Sequence, residues 1–167
     1  MNTPLNPVAR LAELSLEPFS RGEHWASQDA PLGERLALTQ LGACYIEVQP
    51  GRSSCPCHVH HNEDELFVIL EGEAEYRFGE HRYAVRAGDV LGAPRGGPEY
   101  AHKLTNTGSG TLRYLAVSSK ADTEICEYPD SGKFAVFGRR KIGSRDRLRF
   151  IGREADGLDY WDGEPGA

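Results

Sequence analysis

The chain of 167 residues is predicted to fold as an all-β protein, either a β-sandwich or a barrel. Polar and apolar residues alternate with a period of two from residue 43 to residue 137, as they do along half-buried strands. Glycine-containing turns interrupt this alternation about every eight to twelve residues. The 19 glycines and 10 prolines, beside 39% hydrophobic residues, fit a turn-rich globular protein of one domain.

The strands are predicted in order along the chain. The first covers residues 43–48, where Cys44, Ile46 and Val48 share one face, and the turn at Pro50-Gly51 ends it. Residues 66–70 form a continuous apolar run, which is typical of a central strand covered on both faces. The later strands are predicted at residues 73–78, 81–85, 90–93, 102–105 and 112–117.

The two ends of the chain have a weaker pattern. Residues 1–42 are expected to form an N-terminal arm that packs on the barrel, with weak helical character near Ala9–Leu14. Residues 43–120 are predicted to form the barrel itself. Residues 121–167, with a turn near Pro129–Gly132, are predicted to add a C-terminal hairpin and tail that complete the domain.

Composition excludes some partners and locations. The formal net charge of -6 argues against nucleic acid, whose phosphates require a basic face. The first 14 residues lack a basic segment followed by an apolar one, so no secretory signal is predicted. No run approaches the roughly 18 apolar residues of a membrane-spanning helix. We therefore expect a cytoplasmic protein that binds neither nucleic acid nor membrane.

Three histidines and one glutamate form a candidate metal site. His58 and His60 are two residues apart, so both point to the same side of a strand. Glu65 has the opposite parity and shares that side only if the polar segment 61–64 turns and resets the register. His102 begins a later strand after a Pro/Gly-rich loop and can complete the cluster across the barrel. Three imidazoles and a carboxylate suit a first-row divalent metal and leave positions open for water or substrate.

The positions of these residues resemble the two sequence motifs of the cupin family. The first motif is matched by Gly51, His58, His60, Glu65 and Gly72, and the second by Gly88, Pro94, Gly96, His102 and Asn106. Two spacers, before His58 and before His102, are longer than the family pattern. The resemblance implies a double-stranded β-helix, or jelly-roll barrel, with an N-terminal arm and a C-terminal extension. It also implies that His58, His60, Glu65 and His102 ligate Zn, Ni, Fe or Mn, among which the sequence does not choose.

Short segments extend the resemblance to a group of small bacterial cupins. These segments are Leu38–Gly42, Glu63–Glu65 and Glu127–Asp130. The resemblance implies a homodimer in which the N-terminal arm pairs with a sheet edge of the partner. It also implies a small-molecule ligand, although the cupin fold serves isomerases, dioxygenases, decarboxylases and non-catalytic binding domains and does not choose among them.

Our leading hypothesis is a metal-dependent enzyme acting on a small polar metabolite, with isomerisation of a sugar or sugar phosphate as the first candidate. A metal that stabilises an enediolate oxyanion also needs a proton-transfer group nearby. Tyr100 and Glu99 are the catalytic candidates, because they lie in the loop before His102. The substrate-binding candidates are Arg95 as an anion anchor and Tyr45, Tyr76 and Phe67 as inward-facing aromatics.

Two alternatives remain open at this point. An iron-dependent dioxygenase would use the same ligands but would require a redox-active metal and dioxygen. A non-catalytic small-molecule binding or sensing module would hold its ligand without forming a product.

Overall fold

The computed structural model describes residues 5–139 and 147–166 and consists of 13 β-strands with a single turn of α-helix. The strands are β1 (Glu17–Arg21), β2 (Trp25–Pro31), β3 (Leu41–Val48), β4 (Val59–His60), β5 (Glu65–Glu71), β6 (Glu73–Phe78), β7 (His81–Arg86), β8 (Val90–Ala93), β9 (His102–Asn106), β10 (Leu112–Ser119), β11 (Thr123–Tyr128), β12 (Lys133–Arg139) and β13 (Arg147–Gly152). The helix α1 covers Leu32–Arg35, and 3₁₀ turns cover Leu11–Glu13, Pro98–Tyr100 and Glu154–Asp156.

The strands build two layers. One layer is a six-stranded sheet in the order β1-β2-β3-β10-β5-β8. The other contains the sheets β7-β6-β9 and β13-β12-β11-β4, which a backbone bridge between His58 and His102 connects. All the strand pairs are antiparallel. This architecture confirms the predicted all-β, double-stranded β-helix fold.

The main hydrophobic core fills the space between the layers. The six-stranded sheet contributes inward residues such as Ile69, Leu112 and Tyr114, and the opposite layer contributes Tyr76 and Leu104. These side chains come from alternate positions of their strands, as the period-2 pattern predicted. The core reaches the candidate site at Phe67, whose ring lies 5.6 Å from that of His102.

The N-terminal segment extends the six-stranded sheet. β1 and β2 form a hairpin next to β3, and the helical character predicted near Ala9–Leu14 is limited to one 3₁₀ turn. Ala30, Leu32 and Tyr45 form a second buried cluster beneath this segment. β2 and β3 belong to one continuous sheet, so the structure has no break at residue 42. The division of the chain at residues 42 and 120 stays a prediction.

The C-terminal segment supplies a wall of the barrel. β11 and β12 form a hairpin through the turn after Tyr128, and β11 also pairs with β4. Within the described residues, no helix has the length and apolar character that crossing a membrane requires.

Candidate metal centre

Backbone pairing brings His58 and His102 together although 44 positions separate them in the sequence. The His102 backbone N–H donates to the His58 carbonyl at 2.8 Å, and the His58 N–H donates to the His102 carbonyl at 3.1 Å. His60 follows on the same side of the short strand β4 and pairs with Cys126 of β11. The imidazole rings of His58 lie 5.0 Å from His60 and 4.6 Å from His102, measured between centroids.

Glu65 faces these rings from the opposite layer. It begins β5, after an irregular segment at residues 61–64 that breaks the strand and allows Glu65 to point into the barrel. Its Oε2 atom lies 3.0 Å from His102 Nε2, 3.3 Å from His60 Nε2 and 3.7 Å from His58 Nε2. The structure therefore brings together all four residues predicted as metal ligands.

These separations fit a shared cation. Nitrogen and oxygen ligands bound at about 2.0–2.2 Å from one metal lie about 3–3.5 Å apart in tetrahedral or octahedral geometry. The donor atoms of His58, Glu65 and His102 all lie within 4.8 Å of one another. These residues could therefore hold a divalent metal ion.

The outward nitrogen of each imidazole faces an oxygen atom. His58 Nδ1 lies 2.9 Å from the Pro56 carbonyl, and His102 Nδ1 lies 3.2 Å from the Tyr100 carbonyl. Each carbonyl can only accept, so both imidazoles can hold a proton on Nδ1 when Nε2 binds a metal. His60 Nδ1 is buried without a hydrogen bond, and Glu124 Oε1 lies 3.5 Å from it.

The charges of the four groups are mutually dependent. Burial raises the pKa of the Glu65 carboxyl, but hydrogen bonds from His102, His58 and His60 outweigh it and hold that pKa well below its usual value. Burial lowers the pKa of His58, but hydrogen bonding to Cys55 and Glu65 reverses the shift and raises that pKa. Burial lowers the pKa of His102 more than Glu65 raises it. The raised pKa of His58 and the lowered pKa of Glu65 both favour the charged forms of these two groups, and a cation can replace the His58 proton.

Two aromatic residues of the hydrophobic core lie next to the imidazole of His102. The rings of Phe67 and Tyr76 lie 5.6 Å and 6.4 Å from His102, and the Tyr76 hydroxyl donates to the Gly92 carbonyl. Tyr45, by contrast, lies in the cluster under the N-terminal segment, and its hydroxyl donates to Glu47. It occupies the other face of β3 because Ile46, the next residue, packs on the barrel core. Of the predicted aromatics, two are therefore near the imidazoles.

The loop residues predicted to act on substrate surround His102 from the outside. The Tyr100 ring packs 5.8 Å from Phe78, while its carbonyl orients His102. The Glu99 carboxylate folds back over Gly97. The Arg95 backbone N–H donates to Asp64, which joins this loop to the segment before β5. The catalytic roles of Tyr100 and Glu99, and anion binding by Arg95, stay predictions.

Strand β11 contributes three site residues that the sequence analysis did not identify. Glu124, Cys126 and Tyr128 alternate along its inner face. Glu124 approaches His60, and the Tyr128 ring stacks 6.2 Å from His58. The period-2 spacing within residues 123–128 was the available signal, but only the pairing with β4 shows which face meets the imidazoles.

A cleft of about 270 Å³ with polar and apolar walls opens beside His60. Its lining consists of Glu63, Ser118, Lys120, Ala121, Asp122, Glu124, Phe137 and Gly138 together with His60. Burial raises the pKa of Glu124, although hydrogen bonds from the backbone of His61 oppose that shift. Of the four predicted metal ligands, only His60 lines this cleft.

Comparisons with known proteins agree with this architecture. A family model described as the cupin domain matches residues 44–118. An oxalate-binding protein of Thermotoga maritima is 30% identical over 113 residues, which are 66% of this chain and 91% of that protein. An uncharacterized protein of Methanocaldococcus jannaschii is 32% identical over 84 residues, which are 48% of this chain but only 65% of that protein, less than two thirds of its length.

A solved structure covers almost the whole chain. The protein of Silicibacter pomeroyi, described as a sugar phosphate isomerase from a cupin superfamily, superposes with a TM-score of 0.77. The superposition covers 93% of this chain and 98% of that one, at 20% sequence identity. At that identity the similarity establishes the fold alone, including its N-terminal and C-terminal additions to the central barrel.

Proposed function

The chain belongs to the cupin family, and on that basis we propose that it holds one divalent transition metal through His58, His60, Glu65 and His102 and binds a small polar metabolite there. The observation that carries this proposal is the convergence of three Nε2 atoms on a single carboxylate oxygen at 3.0–3.7 Å. When bound, the metal would supply Lewis-acid stabilisation of a carbonyl or hydroxyl oxygen. Its identity among Zn, Ni, Fe and Mn is for metal analysis to decide.

Other contacts of these residues set the charge and orientation of the metal ligands and limit which ligands fit beside them. Glu65 neutralises part of the cation's charge, and His58 and His102 are held in place through their Nδ1 atoms. Phe67 and Tyr76 are buried and give the centre an apolar side next to His102. The cleft beside His60 is small and contains carboxylates, a lysine and a hydroxyl group, which favours a small polar metabolite over a bulky ligand.

For the reaction, we propose isomerisation of a sugar or sugar phosphate. Isomerisation requires only a Lewis acid and a proton-transfer group, whereas dioxygenation also requires a metal that changes its redox state. Tyr100 and Glu99 remain the candidates for proton transfer. At present the Tyr100 ring packs against Phe78 and the Glu99 carboxylate lies against Gly97.

A non-catalytic binding function is the second candidate. The similarity to an oxalate-binding protein over 91% of that protein's length favours it. Oxalate and a hydroxy-carbonyl compound both offer two adjacent oxygens that one metal can chelate. The same centre is therefore compatible with a bound ligand that undergoes no reaction.

One experiment separates these functions. The protein, loaded in turn with Zn, Ni, Mn and Fe, is incubated with aldoses, ketoses and their phosphates, and with oxalate as a binding probe. Isomerisation predicts interconversion that His102→Ala abolishes. Saturable oxalate binding without any product supports the binding function, and oxygen uptake with iron alone supports the dioxygenase. Failure of every metal to bind contradicts all three.

We also propose a homodimer formed through the N-terminal segment. β1 is the outermost strand of the six-stranded sheet, and each of its residues is exposed, including Phe19. An edge strand of this kind offers unpaired backbone groups to a partner strand. Light scattering at micromolar concentration is expected to give twice the chain mass, and Phe19→Asp is expected to shift it toward the monomer. A monomeric wild-type protein contradicts this proposal.

A cytoplasmic location is proposed on the basis of the thiols. All four cysteines are free, and two of them, Cys57 and Cys126, are buried. Reduced thiols of this kind are typical of a reducing compartment. Fractionation of the source cells tests the location, and recovery from an oxidising compartment contradicts it.

A further inference from the structure

A second group of donor atoms adjoins the proposed metal centre. Cys126 lies opposite His60 in the pairing of β11 with β4, so both side chains point into the barrel. Donor atoms of His58, His60 and Cys126 all lie within 4.8 Å of one another. The group of His58, Glu65 and His102 satisfies the same distance. His58 therefore belongs both to a nitrogen and oxygen set and to a nitrogen and sulfur set.

The surroundings of Cys126 distinguish it from a thiol that only fills space. Cys126 is 2% exposed, yet within the described part of the chain it belongs to none of the apolar clusters of the core. Its neighbours on the same strand face are Glu124 and Tyr128, and these approach His60 and His58. The sulfur thus lies in a wall of polar groups that faces the imidazoles.

The two donor sets differ in the metals they prefer. Carboxylate oxygen favours hard cations such as Mn²⁺, whereas thiolate sulfur favours Cu⁺, Zn²⁺ and Cd²⁺. A metal–sulfur bond of about 2.3 Å and metal–nitrogen bonds of about 2.0–2.1 Å put the donors about 3.6 Å apart in a tetrahedron. Rotation of the imidazoles and of the cysteine side chain that moves their donor atoms by about 1 Å brings these atoms to the distances that a tetrahedral metal requires.

We propose that Cys126 is a thiolate ligand that binds soft metals together with His58 and His60, in competition with Glu65. This inference rests on the proposed metal-binding function and adds a donor that the four-residue site lacks. On binding, the S–H bond breaks, its proton leaves to solvent, and the sulfur electron pair forms the bond to the metal. No electron transfer is involved. The site would thereby bind hard cations with the help of Glu65 and soft cations with the help of Cys126.

Cobalt titration of the full chain tests the sulfur bond directly, with Co²⁺ alone as the probe. Wild-type protein is expected to show an intense sulfur-to-cobalt charge-transfer band in the near ultraviolet. Cys126→Ser removes the band, and Cys44→Ser, which changes a half-buried thiol on β3, retains it. Cys55→Ser serves as the discriminating variant, because Cys55 Sγ lies 3.8 Å from His58 Nδ1. Glu65→Gln is expected to strengthen the band by removing the competing oxygen.

Metal affinities give a second measurement. Cys126→Ser is expected to lower Cd²⁺ affinity by about tenfold or more while changing Mn²⁺ affinity by less than about twofold. X-ray absorption of the wild-type zinc form provides evidence that needs no variant, through a sulfur shell at about 2.3 Å.

The outcomes separate this inference from the function on which it rests. Cobalt or zinc bound by nitrogen and oxygen alone, or a charge-transfer band that Cys55→Ser abolishes and Cys126→Ser retains, overturns thiolate ligation by Cys126 and leaves the four-residue site intact. Failure to bind any of these metals overturns both. If Cys126→Ser does not fold, the X-ray absorption spectrum of the wild-type protein decides alone.

Discussion

At the scale of single residues, the site depends on the groups that contact the Nδ1 atom of each imidazole. The sequence identified His58, His60 and Glu65 because residue type and spacing carry their signal. It did not identify Glu124, because a glutamate 64 positions after His60 approaches the ring only through the pairing of β11 with β4. Partners of this kind come from tertiary structure, and spacing in the sequence does not reveal them.

Replacing Glu124 tests this outer contact. Glu124→Gln removes the negative charge 3.5 Å from His60 Nδ1, and loss of such a partner is expected to lower metal affinity by about 10- to 100-fold. Glu127→Gln is the matched control, because Glu127 lies on the outer face of the same strand and pairs with His61. Chelator competition measures both. Equal affinities for the two variants contradict a role for Glu124.

The pH dependence of metal binding follows from the shifted imidazole. The pKa of His58 is raised above its ordinary value, so a proton occupies this group in the metal-free protein over a wider pH range. A cation must displace that proton, and each displaced proton lowers apparent affinity about tenfold per pH unit below the pKa. We expect affinity to rise from pH 6 to pH 8 in calorimetric titrations. An affinity that falls over this range contradicts the proposed ligands.

At the scale of elements, the strands with one buried face were predictable and those without one were not. β6, β9 and β10 bury alternate residues, and the period-2 pattern predicted each of them. Every residue of β1 is exposed, so its sequence carries no alternation that would identify a strand. The short strand β4 is likewise defined by its neighbours, since only Val59 and His60 belong to it.

Alanine substitution of Gly72, in the turn before β6, tests how closely this turn approaches β10, and the same substitution of Gly88 is the control. Gly72 and Gly88 both have positive φ, at 90° and 96°, and either alanine variant loses about 1–2 kcal/mol of stability from backbone strain. A Cβ atom at Gly72 would also meet the Leu112 Cα atom at 3.0 Å, whereas the space around Gly88 is open. Urea unfolding should therefore show a larger loss for Gly72→Ala. Equal losses contradict the close approach of this turn to β10.

Asn106 joins three backbone segments near the end of β9. Its side-chain amide donates to the carbonyls of Val48 and Gly110, each at 2.8 Å, and its Oδ1 accepts from the Gly108 N–H at 2.9 Å. The residue is completely buried, so Asn106→Ala leaves these groups without their partner and is expected to cost about 2–4 kcal/mol. Asn62→Ala, at an exposed hydrogen bond, is the control and is expected to cost less than about 1 kcal/mol. Similar losses in denaturant unfolding contradict this structural role.

At the scale of the whole molecule, the metal would connect the two layers of the barrel. His58, His60 and His102 come from one layer and Glu65 from the other. A ligand that binds only the folded chain stabilises it, by about 2.7 kcal/mol at 100 times its Kd. Metal loading is therefore expected to raise Tm, and a chelator is expected to reverse the change. A Tm that does not respond in wild-type protein, or that responds equally in His102→Ala, contradicts a shared site.

The central claim is tested most directly by anomalous diffraction from crystals of the metal-loaded protein, with data collected on both sides of the metal's absorption edge. The account predicts one strong peak at about 2.0–2.2 Å from the Nε2 atoms of His58, His60 and His102 and from a Glu65 oxygen. A peak held elsewhere, such as at the nearby group of His60, Glu63 and Glu124, or no peak at all in metal-loaded crystals, would contradict it.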